Sequence, residues 1–160
     1  LGLMLLLSYI NKESRKAREV EEEVAQLKER QQTLEKINEQ TQQLARIAGF
    51  MHDIGNAVNR SRHGEYGAIL AYDILKKYDM PLADRMIVVS AIGNHDESTG
   101  GARDPVSAAL VIADKTDVRR SRVRNRSEIT FDIHDRVNYA VTGSRLEVDA
   151  EAKKISLNLQ

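Results

Sequence analysis

Residues 12 to 43 contain neither glycine nor proline. A stretch that long without a helix breaker reads as one extended α-helix. Val20, Val24, Leu27, Leu34 and Ile37, with Leu44 just beyond, recur at steps of three, four and seven residues, the spacing of one helix face. Gln31, Asn38 and Thr41 interrupt that stripe. We read the segment as a helix that lays one face on the domain. The second reading is a short coiled-coil stem that pairs two copies of the chain.

The rest of the chain is punctuated in the manner of a helical domain. With 160 residues, 41% apolar and 30% charged, it can bury one core. Two prolines and nine glycines leave little room for a disordered linker. The formal net charge is zero, so no global field draws the protein to nucleic acid or a membrane, and only a local patch could do so. Cysteine is absent. That excludes disulfides and thiolate metal ligands and fits a cytoplasmic setting. Leu1 to Ile10 is apolar and is followed by Lys12, Arg15, Lys16 and Arg18. Ten residues fall short of the roughly 20 that a helix needs to cross a bilayer. The segment therefore reads as a core-packing helix, with no full membrane span, rather than as the end of an anchor.

The expected domain plan has three parts. Residues 1–43 form an amino-terminal helical segment, 44–126 a helical core, and 127–160 a carboxy-terminal helix and β-hairpin. Within the core, helices are expected over Leu44 to Val58, His63 to Tyr78, Leu82 to Asp96 and Pro105 to Arg120. On the second of these, Ala68, Ile69, Ala71 and Leu75 should turn inward. Pro81 stops that helix because the residue before proline avoids helical backbone. Pro105 suits the first turn of the next one. Glu128 to Asp132 reads as a short strand and Ile133 to Val141 as a last helix. Arg145–Val148 and Lys154–Leu159 alternate with period two, as a hairpin does. The fold class is thus mainly α, a helical bundle with a small hairpin at its end.

The chemistry sits in the middle of the chain. His52-Asp53 places an imidazole and a carboxylate side by side at a helix. Neither residue can close a metal shell alone, so other ligands must come from elsewhere. His63 and His95 each lie near a helix end in polar company. Asp114 follows the apolar run Ala108–Ala113, on or beside a buried face. A buried carboxylate without a counter-charge costs several kcal/mol or takes up a proton. A metal would satisfy His52, Asp53, His95 and Asp114 together, and it would be held by nitrogen and oxygen.

Four segments carry a family resemblance. His52-Asp53-Ile54-Gly55, then His63-Gly64-Glu65-Tyr66-Gly67-Ala68, then Ile92-Gly93-Asn94-His95-Asp96-Glu97, and finally Ala113-Asp114 resemble the HD superfamily of metal-dependent phosphohydrolases, of the His-Asp-Ile-Gly type. The resemblance spans Leu44 to Arg124. It implies that Asp53 bridges two divalent ions, that His52 and Asp114 bind the first, and that His63 and His95 bind the second. The ions would be one or two of Mn, Fe, Mg, Ni or similar. A metal-activated water would attack phosphorus, with Asp53 and Lys115 as catalytic groups and Arg119, Arg120 and Arg122 on the substrate phosphate. One departure stands out. The family usually carries a further His ligand upstream, and no His precedes His52. Ser14-Arg15-Lys16-Ala17 aligns there, which puts Lys16 in the ligand place. A charged lysine does not bind a metal.

The function expected is hydrolysis of a phosphate ester, a nucleotide or a small phosphorylated metabolite. Two alternatives follow from the same residues. Asp117 to Arg126 holds five arginines in ten residues and resembles the end of the catalytic domain of the ribonuclease Y family. That implies an RNA phosphodiesterase, although no aromatic platform for bases is evident. The missing upstream His implies instead a catalytically impaired, metal-binding regulatory domain. The stem and the hairpin both point to a homodimer.

Overall fold

The computed structural model describes residues 2–96, 100–123 and 127–160. Glu97 of the third segment, and Arg124 and Arg126 of the basic patch, lie outside the described residues. The protein is mainly α-helical and ends in a two-stranded antiparallel hairpin. It divides into two compact units, Leu1–Gln43 and Leu44–Gln160.

Helix α1 runs without a break from Gly2 to Met51. The sequence suggested two helices meeting near Leu44. Nothing there interrupts the backbone, because Gln43, Leu44 and Ala45 are all tolerated in a helix interior. The break falls instead after Met51, where a 3-10 turn spans Ile54–Ala57. In the first unit Val20, Val24, Leu27, Leu34 and Ile37 are all exposed. No helix among the described residues is long and apolar enough to cross a membrane.

The second unit is built on α2 (His63–Lys77), α3 (Leu82–Gly93) and α4 (Pro105–Thr116). Helix α2 packs on α3 and on the 3-10 turn, and α3 packs on α4. Their core is Leu44, Ala48, Met51, Ala71, Leu75, Val88, Ala91, Ile92, Val106 and Leu110. The buried stripe of α2 runs Gly64, Gly67, Ala71, Leu75, which are three- and four-residue steps. Ile69 falls off that stripe and is exposed, contrary to the inward placement read from the sequence. Helix α4 starts as its sequence asks. Asp104 caps it, accepting from the Val106 and Ser107 amides at 2.8 and 2.9 Å. The Ser107 hydroxyl returns the favour to the Asp104 amide at 3.0 Å, completing a capping box behind Pro105.

Glycines set how closely α2 approaches its neighbours. A Cβ on Gly67 would come within 3.1 Å of Ile92 Cγ2 and 3.3 Å of the His52 carbonyl. A Cβ on Gly64 would come within 3.3 Å of the Ile92 carbonyl. Small residues at these positions let the start of α2 lie against the end of α3 and the turn after α1.

In the tail, Glu128–Thr130 forms a 3-10 turn rather than the strand suggested by its sequence. The Thr130 amide and hydroxyl both close back on the Ser127 carbonyl, at 3.1 and 2.9 Å. That local bonding competes with a ladder. Helix α5 follows (Ile133–Ala140), capped by Asp132. Strands β1 (Ser144–Asp149) and β2 (Lys154–Leu159) pair with Leu146 opposite Leu157 and Val148 opposite Ile155. One face of the hairpin is therefore apolar and the other polar.

Candidate metal centre

His52 stands just past the end of α1, and His95 just past the end of α3. The last carbonyls of a helix have no intrahelical donor, and both rings use one. His52 Nδ1 donates to the Gly49 carbonyl at 2.7 Å. His95 Nδ1 donates to the Ile92 carbonyl at 2.6 Å. His63, the first residue of α2, does the same toward the Arg60 carbonyl at 3.0 Å. Each ring is thus tied to a carbonyl three residues upstream. A carbonyl only accepts, so Nδ1 carries the proton in all three rings. Each Nε2 is then left with a lone pair directed away from the backbone, the tautomer a metal ligand needs.

The three Nε2 edges converge. His63 Nε2 lies 3.1 Å from His95 Nε2. Two lone pairs at that distance repel unless a proton or a cation sits between them. Neighbouring donors on one octahedral ion stand about 3 Å apart, so the spacing suits a shared cation. The ring of His95 is 3% exposed as a residue and meets His52 and His63 edge to face, at centroid distances of 5.2 and 4.9 Å. His52 Nε2 is buried and has no hydrogen-bond partner among the described residues. It is 3.7 Å from an oxygen of Asp53 and 3.7 Å from an oxygen of Asp114. Those gaps are too long for hydrogen bonds and fit an ion touching both sides at about 2.0–2.3 Å.

Asp53 occupies the cap position of the 3-10 turn with φ −93° and ψ 2°, and its side chain makes no capping bond. That backbone region is sparsely populated and common at active sites. The freed carboxylate faces two rings, since its other oxygen is 3.5 Å from His63 Nε2. Ligand atoms of His52, Asp53 and His95 all lie within 4.8 Å of one another and could hold a metal ion. His63 joins through His95 and Asp53, and Asp114 joins through His52. The structure thus links all five metal ligands expected from the sequence in one chain of short distances. Asp114 follows Ser107 and Leu110 on the buried stripe of α4, which aims it at His52.

The charges interlock. The His52 ring beside Asp114 holds its carboxyl down to about 2, against burial, which pushes the other way; Arg122 and Lys115 add to the lowering. Asp114 in turn raises His52 above the ordinary 6.5, with burial opposing and the Gly49 carbonyl and Asp53 assisting. Because Nδ1 already carries a proton, the added one must sit on Nε2, where a metal would bind. Metal affinity is therefore expected to fall about tenfold per pH unit once the pH drops below the raised His52 value. In metal-free protein the signs differ by group. The raised His52 stabilises the fold below 6.5 and loses that contribution as pH rises through its folded value. The lowered Asp114 stabilises above 3.8 and loses it as pH falls toward 2. Competition titrations against a chromogenic chelator from pH 5.5 to 8 check the first expectation.

The cationic residues separate on inspection. Lys115 Nζ is 3.9 Å from Asp114. Arg122 reaches Asp114 Oδ1 at 3.5 Å and donates to the Asp117 carbonyl at 3.0 Å. Arg119 instead pairs with Asp117, Nε to Oδ1 at 2.8 Å. Arg120 donates to the Tyr139 carbonyl at 2.7 Å and stacks 4.8 Å over that ring. Lys16, in the first unit, pairs with Glu13 at 3.5 Å. The sequence reading gave no role to the Gly49, Arg60 and Ile92 carbonyls that orient the rings, nor to Asp96, whose carboxylate is 3.7 Å from His63 Nδ1. For His52 and His95, a position one or two residues past a helix end was the signal available.

The HD domain family profile matches residues 17–137. An uncharacterized protein of Methanocaldococcus jannaschii is 34% identical over 85 residues, covering 49% of this chain and 32% of its own length. The chain thus matches about a third of the length of that relative. No solved structure matches.

Proposed function

The chain belongs to the HD domain family, a class of metal-dependent hydrolases, and from that premise we propose that it hydrolyses a phosphate ester of a nucleotide or small phosphorylated metabolite. The observation that carries this reading is the convergence of three Nε2 atoms and two carboxylates on one locus. His52, His63, His95, Asp53 and Asp114 would hold one or two divalent ions, with Asp53 placed to serve both. When bound, such an ion supplies Lewis acidity, lowering the pKa of water and offsetting charge on phosphoryl oxygens.

The chain's own groups do the rest. The backbone ties on the three rings fix their lone pairs before any ion arrives, which lowers the cost of assembling the site. The Asp53 side chain is half exposed, so substrate approaches from that side. Lys115 and Arg122 place positive charge beside Asp114, where they attract and orient a phosphate. Arg119 and Arg120 are engaged by Asp117 and Tyr139. Of the described arginines of the basic run, Arg122 alone reaches Asp114, which suits a small phosphorylated substrate better than the repeated phosphates of RNA.

The test is hydrolysis of p-nitrophenyl phosphate and bis(p-nitrophenyl) phosphate. Prolonged dialysis against a chelator is expected to remove the activity, and Mn or Fe to restore it. Retention of full activity in protein shown by elemental analysis to be metal-free would overturn the proposal. A protein that binds metal fully yet turns over neither ester would instead be the regulatory relative suggested by the missing upstream histidine.

A further inference from the structure

We propose that the first unit is one strand of a parallel, in-register, two-stranded coiled coil, and that its partner is a second copy of this chain. Three independent features of residues 16–41 support this.

The first is an uncovered seam. Val20, Val24, Leu27 and Leu34 are 57%, 43%, 58% and 57% exposed on a helix that runs unbroken from Gly2 to Met51. A solitary helix leaves such a stripe in water, whereas a heptad seam buries it. With Val24 at position a, the following a positions are Gln31 and Asn38, and the d positions are Val20, Leu27, Leu34 and Thr41. A β-branched residue at a with leucine at d favours two strands.

The second is the placement of the polar interruptions. Gln31 and Asn38 both fall at a, one heptad apart. In a parallel in-register pair each meets its own copy, and the two amides can bond across the axis. A buried asparagine at a is a known means of fixing register and strand number. Slippage by one heptad would set Asn38 against Gln31 and strand the outer amide against apolar side chains.

The third is the charge pattern beside the seam. In a parallel dimer a g residue faces the e residue five positions on in its partner. The three charged g–e pairs are Lys16 with Glu21, Glu23 with Lys28, and Arg30 with Glu35, and the next pair is Ile37 with Gln42. All three are attractive, and the sign of the g residue alternates along the strand. An antiparallel pair sets e against e and g against g; centred on Lys28 it brings Glu21 near Glu35 and Lys28 near its own copy, whereas a shift of one heptad pairs Glu21 with Lys28 and Glu23 with Arg30. The charges thus suit a partner of the same sequence in the parallel register, and the matched amides at Gln31 and Asn38 favour that direction.

The chain lacks cysteine, which makes the test direct. Leu27→Cys, at d, should form an intermolecular disulfide under mild oxidation. Glu29→Cys, on the outer face, should not. Sedimentation equilibrium of the full chain should give twice the 18.0 kDa of one copy. Leu27→Asp with Leu34→Asp should return the single-copy mass. Both leucines are exposed within one chain, so the double variant should keep its metal content, while loss of the partner strand lowers the helical signal of the first unit. A single-copy mass for the unaltered chain at tens of micromolar overturns the proposal. So does a dimer that survives the double aspartate variant. A dimer in which Leu27→Cys fails to link overturns the parallel register, and a three-copy mass overturns the strand number.

Discussion

Asp53→Ala is expected to lower hydrolysis of a phosphate ester by at least about 10³-fold, with little change in fold stability. The expectation rests on what surrounds the side chain. Its two oxygens face two different rings, 3.7 Å from His52 Nε2 and 3.5 Å from His63 Nε2. It makes no capping bond, and its side chain is 49% exposed. Removing it therefore empties no core and breaks no helix start. It does remove the only carboxylate placed between the two halves of the histidine cluster among the described residues. Asp53→Asn keeps the shape and discards the charge, so it separates the two contributions. It should lose nearly as much activity as the alanine variant if the anion is what holds the metal. Elemental analysis should show reduced metal in both, and urea unfolding of the metal-free forms should stay within about 0.5–1 kcal/mol of the parent. An alanine variant with unchanged turnover and full metal content would remove Asp53 from the centre of the site.

The sequence allowed a candidate ligand set to be named but not its orientation. His52, Asp53, His95 and Asp114 were candidates because ionisable residues in apolar helical surroundings need a partner, and His63 entered through the family resemblance. The length of α1 was half legible. Its periodicity was plain, yet the expected junction near Leu44 does not exist, since no residue there disfavours helix. The end after Met51 was hidden because the chain turns by a 3-10 segment that buries Gly55. Such a turn has no strong local code. The tail misled for a similar reason. Glu128 to Asp132 read as a strand, but Thr130 bonds back to Ser127 and closes a turn. The arginines show the same limit. Five in ten residues looked like one patch, whereas of the three described arginines the structure sends Arg119 to Asp117, Arg120 to Tyr139 and Arg122 to Asp114. Composition registers charge, and partner geometry decides where it acts.

Gly55→Ala is expected to be the most damaging single methyl group that can be added to the second unit. A Cβ at this position would overlap the His63 carbonyl oxygen and sit 2.5 Å from the Gly67 amide nitrogen. Both are backbone atoms of α2, so no side chain can swing aside. The turn after α1 and the start of α2 would have to separate. Overpacking of a rigid contact costs about 1–3 kcal/mol, and more where backbone must move. We expect at least about 3 kcal/mol here, read from the midpoint of urea unfolding. The same displacement would pull His52 and Asp53, on one side of the contact, away from His63 on the other. Metal content should therefore fall in whatever protein remains folded. Gly49→Ala supplies the control, because a Cβ there meets nothing within 4 Å. It lies inside α1, where alanine is favoured over glycine by about 0.5–1 kcal/mol. That variant should be as stable as the parent or more so, with metal content intact. If the two substitutions had equal effects, the close approach of α2 to the turn would not be what holds the three imidazoles together.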